Sequence, residues 1–316
     1  MSAATILTKP MRDAITRSGY LLEQRLVPVI EKLGFKATPN ERFRDPETGD
    51  LRELDISAIS AEPIGEHGHE YVFPILLVAC KNLSCPLVFF TQQEIRHHWY
   101  LGKVLISGLP LEILDRKRKA STITEFLKFE NFHHYYRTGR VASQFCAVYE
   151  GKKEKGASPI FEAGHTIGGR MELFKDFDSL GKAVVAKKRE HGNSFYSDPK
   201  PEPVNLQIYY PIFLTAGPII ECHVGGKRPS YRQVHRIGFI YRTVIGNIQR
   251  EIRIDVVDEE GCRRLLKTIK IEMTEIVRRL TRRRKAIKKS LAWVTKRLSR
   301  SKPKRQKSYV SGEFLD

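Results

Sequence analysis

The chain has 316 residues, of which 41% are hydrophobic and 29% charged, and its formal net charge is +19. This composition is typical of a folded protein with one large core or two smaller ones, and the longest apolar run, 71–80, is half of what a transmembrane helix needs. Five scattered cysteines argue against a disulfide framework and lack the paired spacing of a zinc site, so we expect reduced thiols and a cytoplasmic protein.

The positive charge is concentrated near the C-terminus. Residues 278–307 contain 15 lysines and arginines and no acid, which leaves a net charge of +4 for the other 286 residues. A nearly neutral body that carries one strongly basic segment is typical of a protein with a polyanionic partner. The charge therefore predicts contact with nucleic acid or with an anionic membrane surface.

The N-terminal part of the chain begins with a helical pattern and continues with a hairpin pattern. Apolar residues recur at helical spacing over 18–33, and Gly34 follows as a stop signal. Apolar and polar residues then alternate over 35–44 and 51–59 around a turn-rich tip, which predicts a β-hairpin.

The segment after the hairpin predicts a buried strand and then two helices. The continuous apolar run 71–80 fits a strand that is covered on both faces. We expect one helix to begin at Thr91, over TQQEIRHHWYLGKVLI, and another to open at Thr122, because Glu125 follows it in capping-box spacing. The predicted order is therefore helix, three strands and helix.

The rest of the chain is predicted to contain a helix over 171–189, a Pro- and Ser-rich linker at 193–203 and several strands. The strands are expected at 144–150, 206–215, 217–224, 234–246 and 250–257. We therefore divide the chain into an α/β core (1–193), C-terminal strands and a helix that pack on or extend that core (204–277), and a basic segment (278–316).

A long amphipathic helix is predicted to follow the last strand. Its apolar residues have a three-four spacing with one gap at Arg283 and Arg284, and they are Leu266, Ile269, Met273, Ile276, Leu280, Ile287, Leu291, Val294 and Leu298. We expect the first half of this helix to pack and the second half to project. The tail 299–316 has no apolar period and is predicted to be disordered.

Three polar positions could converge on one site. Glu23 lies on the first predicted helix, Asp55 lies mid-strand, and the end of the next strand brings positions 79–81 alongside Asp55. Because side chains alternate along a strand, Lys81 shares a face with residue 79. Carboxylates from separate elements are the ligands that hard divalent cations prefer, and a nearby lysine could orient water and offset negative charge.

The residues Glu23, Asp55 and Ala79-x-Lys81 resemble the pattern of the PD-(D/E)XK nuclease superfamily, over about residues 15–110. The stretch CKNLSCPLVFF at 80–90 is similar to bacterial members of that group. The resemblance implies a restriction-endonuclease-like mixed sheet flanked by helices, here with added C-terminal strands and a long basic helix. It also implies Mg or Mn as cofactor, phosphodiester hydrolysis in DNA, and a role in bacterial defence or repair.

The chain departs from this pattern at Ala79, which stands where the family has an acid. The predicted site keeps Glu23, Asp55 and the backbone carbonyl of Cys80 as metal ligands, and losing one ligand costs about a thousandfold in rate. Glu94 is a candidate for an acid that has moved to the following helix, and Glu53 is an alternative ligand. An alanine here fits a natural loss or an introduced inactivating change.

Each of these residues also has a simpler interpretation. Glu23 could be an exposed helix acid, Asp55 could pair with Arg52, and Lys81 could be an exposed strand end. The aromatic run 133–136 is expected to pack rather than to contact DNA.

The basic segment supplies the candidate nucleic-acid contacts, which are Arg282, Arg283, Arg284, Lys285, Lys288 and Lys289. DNA is the expected partner and RNA an alternative. Our first hypothesis is a DNA-binding protein of the nuclease fold, weak or inactive because of Ala79. The alternatives are a non-catalytic module that binds nucleic acid or protein, and a membrane-surface protein that acts through its basic helix and Trp293.

Overall fold

The computed structural model describes residues 7–65, 69–83, 85–93, 103–109, 112–114, 120–137, 139–151, 161–164, 166–167, 171–197, 204–225 and 228–301. The helices in these stretches are α1 (Lys9–Arg17), α2 (Tyr20–Glu31), α3 (Ile123–Phe126), α4 (His134–Arg137), α5 (Leu173–Ser197) and α6 (Glu259–Ser301), with a 3₁₀ helix at Phe129–Asn131.

The strands lie between these helices along the whole chain. They are β1 (Lys36–Arg44), β2 (Leu51–Ile59), β3 (Glu62–Pro63), β4 (Tyr71–Lys81), β5 (Leu87–Gln93), β6 (Leu105–Ser107), β7 (Glu112–Leu114), β8 (Ala120–Thr122), β9 (Arg140–Glu150), β10 (Phe161–Gly164), β11 (Thr166–Ile167), β12 (Met171–Glu172), β13 (Asn205–Thr215), β14 (Ile219–His223), β15 (Ser230–Val234), β16 (Arg236–Ile245) and β17 (Ile248–Val257).

Most of these strands form one mixed sheet, which confirms the predicted α/β class. The central path runs β1-β2-β4-β13-β17-β16-β9-β5-β14-β15, and β3, β6 and β10 pair beside it. Strand β4 lies between antiparallel β2 and parallel β13. The predicted hairpin (β1 and β2), the first helix (α2) and the buried strand (β4) are all confirmed.

Helices cover both faces of β4. Leu76, Val78 and Cys80 belong to the hydrophobic cluster that contains the apolar residues of α2 and α6. Leu77 and Ala79, which point the other way, belong to the cluster that contains the buried residues of α5. This double coverage explains why β4 is apolar along nearly its whole length.

The prediction of a helix that begins at Thr91 is wrong for the first residues of that segment. Thr91 to Gln93 continue β5 and pair with β9, and the Thr91 hydroxyl is buried and donates to the Glu221 carboxylate at 3.2 Å. The end of the same predicted segment forms part of β6, which pairs with β13. Strand pairing on both sides of β5 outweighs the local helical spacing; residues 94–102 lie outside the described residues.

The C-terminal strands enter the sheet that the N-terminal strands begin. Strand β13 pairs in parallel with the full length of β4, from Asn205 opposite Tyr71 to Thr215 opposite Lys81. Strand β17 then pairs with β13, and β16 continues the sheet towards β9. Residues on both sides of the predicted linker therefore share one sheet.

The second half of α6 does not project as predicted. Ile287 and Leu291 are buried in the same cluster as Leu266 and Ile269, so the helix packs well beyond the gap in its apolar spacing. None of the helices in the described part of the chain combines the length and the apolar composition that crossing a membrane requires.

A buried ion network joins α4 to β17 and α6. His134 lies between two buried carboxylates, with Nδ1 2.8 Å from Oε1 of Glu272 and Nε2 3.1 Å from Oδ2 of Asp255. Burial would lower the pKa of His134, but Asp255 and Glu272 outweigh burial and raise that pKa. Both ring nitrogens lie against carboxylate oxygens, an arrangement that favours the protonated ring. The prediction that the aromatic run packs is confirmed for His133, His134 and Tyr135, which are buried.

We expect Glu272→Gln to lower the free energy of unfolding by about 3 kcal/mol at neutral pH, because it leaves a buried charge incompletely paired. The raised pKa of His134 also means that its contribution is complete below its ordinary value of 6.5 and is lost as pH rises through the folded pKa. Urea unfolding between about pH 6 and about pH 9 measures both effects. The free energy of unfolding of the variant should therefore fall less between about pH 6 and about pH 9 than that of the parent.

The matched control is Glu260→Gln, which removes an exposed i,i+4 partner of Arg264 on the same helix. Its effect should stay below about 0.5 kcal/mol at every pH. Equal effects of the two substitutions would contradict the buried network.

Candidate functional site

A cavity of about 320 Å³ opens where β2 and β4 separate. Its walls come from the N-terminal part of α2, from β2, from the end of β4 and from the first turns of α5. The polar side chains that line it include those of Glu23, Glu53, Asp55, Lys81, Asn82 and Asp176. The cavity therefore collects carboxylates from three different elements beside one lysine.

The separation of β2 from β4 creates this opening. Their pairing runs from Ile59 opposite Ile75 to Ile56 opposite Val78, and Asp55 is the next residue of β2. Its Oδ2 accepts a hydrogen bond of 2.5 Å from the backbone N–H of Cys80. Since the N–H and C=O of one strand residue point to the same side, the carbonyl of Cys80 also points towards β2.

Ala79 and Lys81 lie on the face of β4 that α5 covers. Ala79 is buried and lines the cavity, and Nζ of Lys81 is 2.8 Å from Oδ1 of Asp176 on α5. Oδ2 of Asp176 is buried and has no hydrogen-bond partner among the residues that the structure describes. A carboxylate from another element thus reaches the side of the cavity where the family pattern places an acid at position 79.

Glu23 enters the cavity from the opposite face of the sheet. Gly19 adopts the left-handed conformation (φ 87°) just before α2 and so sets where the helix begins. Glu23 follows in the first turn and is only 7% exposed. No hydrogen bond or ion pair joins its carboxylate to another described residue.

Burial raises the pKa of three acids in the cavity, and acidic neighbours add to the shift for Glu23 and Asp55. Burial raises the pKa of Glu23, and the nearby charges of Asp55 and Glu53 raise it further. Burial likewise raises the pKa of Asp55 and of Asp176, and Lys81 acts against both shifts. The folded protein therefore holds these carboxylates together at an electrostatic cost.

The structure brings together most of the predicted site. Glu23, Asp55, Lys81 and the backbone of Cys80 line one cavity, and the alternative ligand Glu53 lies there too. Glu94 lies outside the described residues. The simpler interpretations do not hold for two acids, because Glu23 is buried and Arg52 pairs with Asp45 instead of Asp55.

Asp176 is a site residue that the sequence pattern does not predict. It lies in the first turn of α5, where the helix dipole commonly stabilises acidic side chains. Its local sequence pattern therefore does not distinguish it from an ordinary helix-capping acid. Only the packing of α5 on the Ala79 face of β4 brings it near Lys81.

The predicted basic contacts on α6 fall into two groups. Arg284 and Lys288 both form ion pairs with Glu70, which is buried and lies just before β4, and the Arg283 guanidinium lies 4.9 Å from the centre of the Phe126 ring. The remaining three, which we call the basic stripe, are exposed at helical spacing: Arg282, Lys285 and Lys289.

A second cluster could hold a metal ion by distance alone. The ligand atoms of His133, His134 and Glu272 lie within 4.8 Å of one another. However, both ring nitrogens of His134 already lie against carboxylate oxygens, and the raised pKa of His134 disfavours the neutral ring that a metal ion requires. We therefore interpret this cluster as the ion network described above.

No family model, curated protein or solved structure matches the chain. The fit of a divalent cation therefore depends on the cavity itself. Within the described part of the chain, Oδ2 of Asp176 is buried without a hydrogen-bond partner and the buried Glu23 carboxylate makes no hydrogen bond, and Asp55 lines the same cavity. Carboxylate oxygens in this number are the donor set that Mg²⁺ and Mn²⁺ prefer.

We expect Glu23→Gln to raise the free energy of unfolding by about 1 kcal/mol without divalent cations, because it removes a buried charge from an acidic cluster. The parent protein should be stabilised by Mn²⁺, by about 2.7 kcal/mol at a hundred times its dissociation constant, and the variant should lose most of this gain. Urea unfolding with and without MnCl₂ measures both changes.

Glu31→Gln, at an exposed position of the same helix, is the control and should change neither quantity. A Glu23→Gln variant that is less stable than the parent would show that the carboxylate has a structural role.

Proposed function

We propose that the chain is a Mg²⁺- or Mn²⁺-dependent phosphodiesterase of the restriction-endonuclease-like fold that acts on DNA. The observation that supports this most strongly is the convergence of Glu23, Asp55 and Asp176 on one cavity beside Lys81. The three elements that carry Glu23, Asp55 and Lys81 occur in the order that the family resemblance requires.

In this proposal Glu23, Asp55 and Asp176 hold the cation, with the carbonyl of Cys80 as a further ligand. A bound cation supplies Lewis-acid stabilisation to a phosphoryl group. The Cys80 N–H fixes the Asp55 carboxylate in the plane of the sheet, and Asp176 fixes the Lys81 ammonium through Oδ1. Lys81 is then placed to orient water and to offset the negative charge that develops in the transition state.

Asp176 is the proposed replacement for the acid that Ala79 lacks. Its Oδ1 holds Lys81, so the buried Oδ2 remains for a cation. This assignment extends our first hypothesis: the site loses one carboxylate from β4 and gains another from α5. The rival is a binding module without catalysis, which Ala79 itself favours.

We expect Asp176→Asn to lower Mn²⁺-dependent plasmid cleavage at least about a hundredfold, because the cation loses a charged ligand. Ala79→Glu in the Asp176→Asn background should restore most of this loss, since residue 79 faces the same cavity. Asp55→Ala should abolish cleavage in both backgrounds. Initial rates of plasmid nicking measure these effects.

The control is Asp178→Asn, a nearby acid of α5 that pairs with Lys182. It should leave the cleavage rate within about threefold of the parent. An inactive parent that Ala79→Glu alone activates would show that Asp176 is no ligand, and a chain that cleaves in none of these forms would favour the binding module.

The proposed partner, DNA, is supported by the basic stripe. Arg282, Lys285 and Lys289 are exposed on one side of α6, whereas the apolar face of that helix is buried in the core. A helix that lies on a membrane needs its apolar face free for the lipid. This arrangement favours nucleic acid over a membrane surface, and RNA remains the alternative polyanion.

We expect the triple substitution of Arg282, Lys285 and Lys289 by glutamine to reduce the slope of log affinity against log salt by about 2.7, because each phosphate contact contributes about 0.9. Fluorescence anisotropy with duplex DNA over a series of salt concentrations measures the slope. The same variant should lose less affinity for anionic vesicles than for duplex DNA.

The control is the double substitution of Arg284 and Lys288 by glutamine, which removes cations already paired with Glu70. This variant should lose stability and keep the salt slope. The reverse result, with an altered slope only in the control, would contradict the assignment of the basic stripe.

A further inference from the structure

A second cleft lies between α6 and the short helices around residue 130. Its volume is about 220 Å³, and we call it the arginine cleft. It is lined by Lys128, Asn131, Arg278, Arg279, Arg282 and Arg283, so five of its six lining residues are cations and none is an acid. The cleft adjoins the basic stripe, because Arg282 belongs to both.

Two guanidinium groups of the cleft are held in place by neighbouring groups. Arg279 donates to the backbone carbonyls of Leu127 and Lys128 at 2.7 and 3.0 Å, and its guanidinium lies 4.5 Å from the centre of the Phe132 ring. Arg283 is placed in the same way over Phe126, at 4.9 Å. Stacking on an aromatic ring leaves the N–H edge of a guanidinium available to an oxyanion.

The cations of the cleft outnumber the described acids that pair with them. Glu275 is the acid that pairs with Arg278 and Arg279, and one carboxylate serves both. Like charges spaced four residues apart on a helix are destabilising, and Arg278 with Arg282 and Arg279 with Arg283 both have this spacing. A bound anion would relieve this repulsion.

We propose that the arginine cleft is a phosphate-binding site that takes a backbone phosphate of nucleic acid. The planar guanidinium of Arg283 and the ammonium of Lys128 supply charge-assisted hydrogen bonds, and the Asn131 amide supplies a neutral donor. Lys285 and Lys289 continue the contact along the same strand. In taking nucleic acid as the source of the phosphate, this site rests on the proposed function.

The cleft lies at the opposite end of β4 from the acidic cavity. Cys80, near the end of β4, faces Cys262 in the first turns of α6, while Glu70, just before β4, pairs with Arg284. The strand and the helix therefore run in opposite directions, and each advances about 33 Å between the two contacts. One duplex needs about ten base pairs to reach both sites.

Arg283→Lys tests the cleft because it keeps the charge and removes the planar, stacked guanidinium. We expect it to weaken binding of the full chain to a duplex of about 20 base pairs by about tenfold, with an unchanged salt slope. Fluorescence anisotropy in EDTA measures the affinity without cleavage. Lys267→Gln, which removes an exposed cation of α6 outside the cleft, should weaken binding less than about twofold.

Asn131→Asp is the second variant, and its exposed position leaves the fold intact. It should weaken binding at least tenfold, because it places a negative charge in the cleft. The proposal would be overturned if both variants bound the duplex as tightly as the parent. It would also be overturned if they lost binding to anionic vesicles and kept binding to DNA. A parent that binds the duplex through the cleft and yet never cleaves DNA would contradict the phosphodiesterase alone.

Discussion

The burial of β4 on both faces is the constraint on which the rest of the structure depends. A strand covered by α6 and α2 on one face and by α5 on the other has no surface for polar side chains along its length. Polar chemistry is therefore confined to its ends. At the C-terminal end of β4, β2 no longer pairs with it, and Asp55 accepts a hydrogen bond from the backbone N–H of Cys80. Helices on both faces of the sheet can therefore place acids in one cavity.

The buried acids of that cavity lower the stability of the folded protein. Buried acids ordinarily have a cation or several hydrogen bonds, as Asp45 does with Arg52, Lys182 and the backbone of its own turn. Glu23 has no such partner among the described residues, and its pKa is raised by burial and by its acidic neighbours. A cluster of this kind carries an electrostatic cost, and in our proposal a bound divalent cation would offset that cost.

The sequence predicted those features that local pattern determines. Helix α2, the β1–β2 hairpin and the buried strand β4 follow from apolar spacing and turn residues, and they were sufficient to bring Glu23, Asp55 and Lys81 together. The sequence pattern does not show which distant strands pair. It therefore predicts a helix from Thr91, although pairing with β9 and β14 makes the beginning of this segment a strand. Long-range packing decided these cases.

The same limit explains what was missed at the site and on α6. Asp176 is separated from Lys81 by almost a hundred residues, and only the position of α5 on the sheet brings them to 2.8 Å. The gap in the apolar spacing at Arg283 and Arg284 indicated a projecting helix. In the structure Arg284 reaches the buried Glu70, so the helix remains packed through the gap. The ion pair with a residue from a distant segment thus keeps α6 packed where its apolar spacing is interrupted.

The opposite orientation of β4 and α6 separates two sites of opposite charge. In our proposal the carboxylates of the acidic cavity would repel phosphate until a cation neutralises them, whereas the arginine cleft would attract phosphate with or without the cation. Nucleic acid would therefore be held first at the basic end of α6. The divalent cation would then decide whether the same strand, about 33 Å further on, can enter the cavity. On this view the cation controls access of the substrate to the site as well as its chemistry.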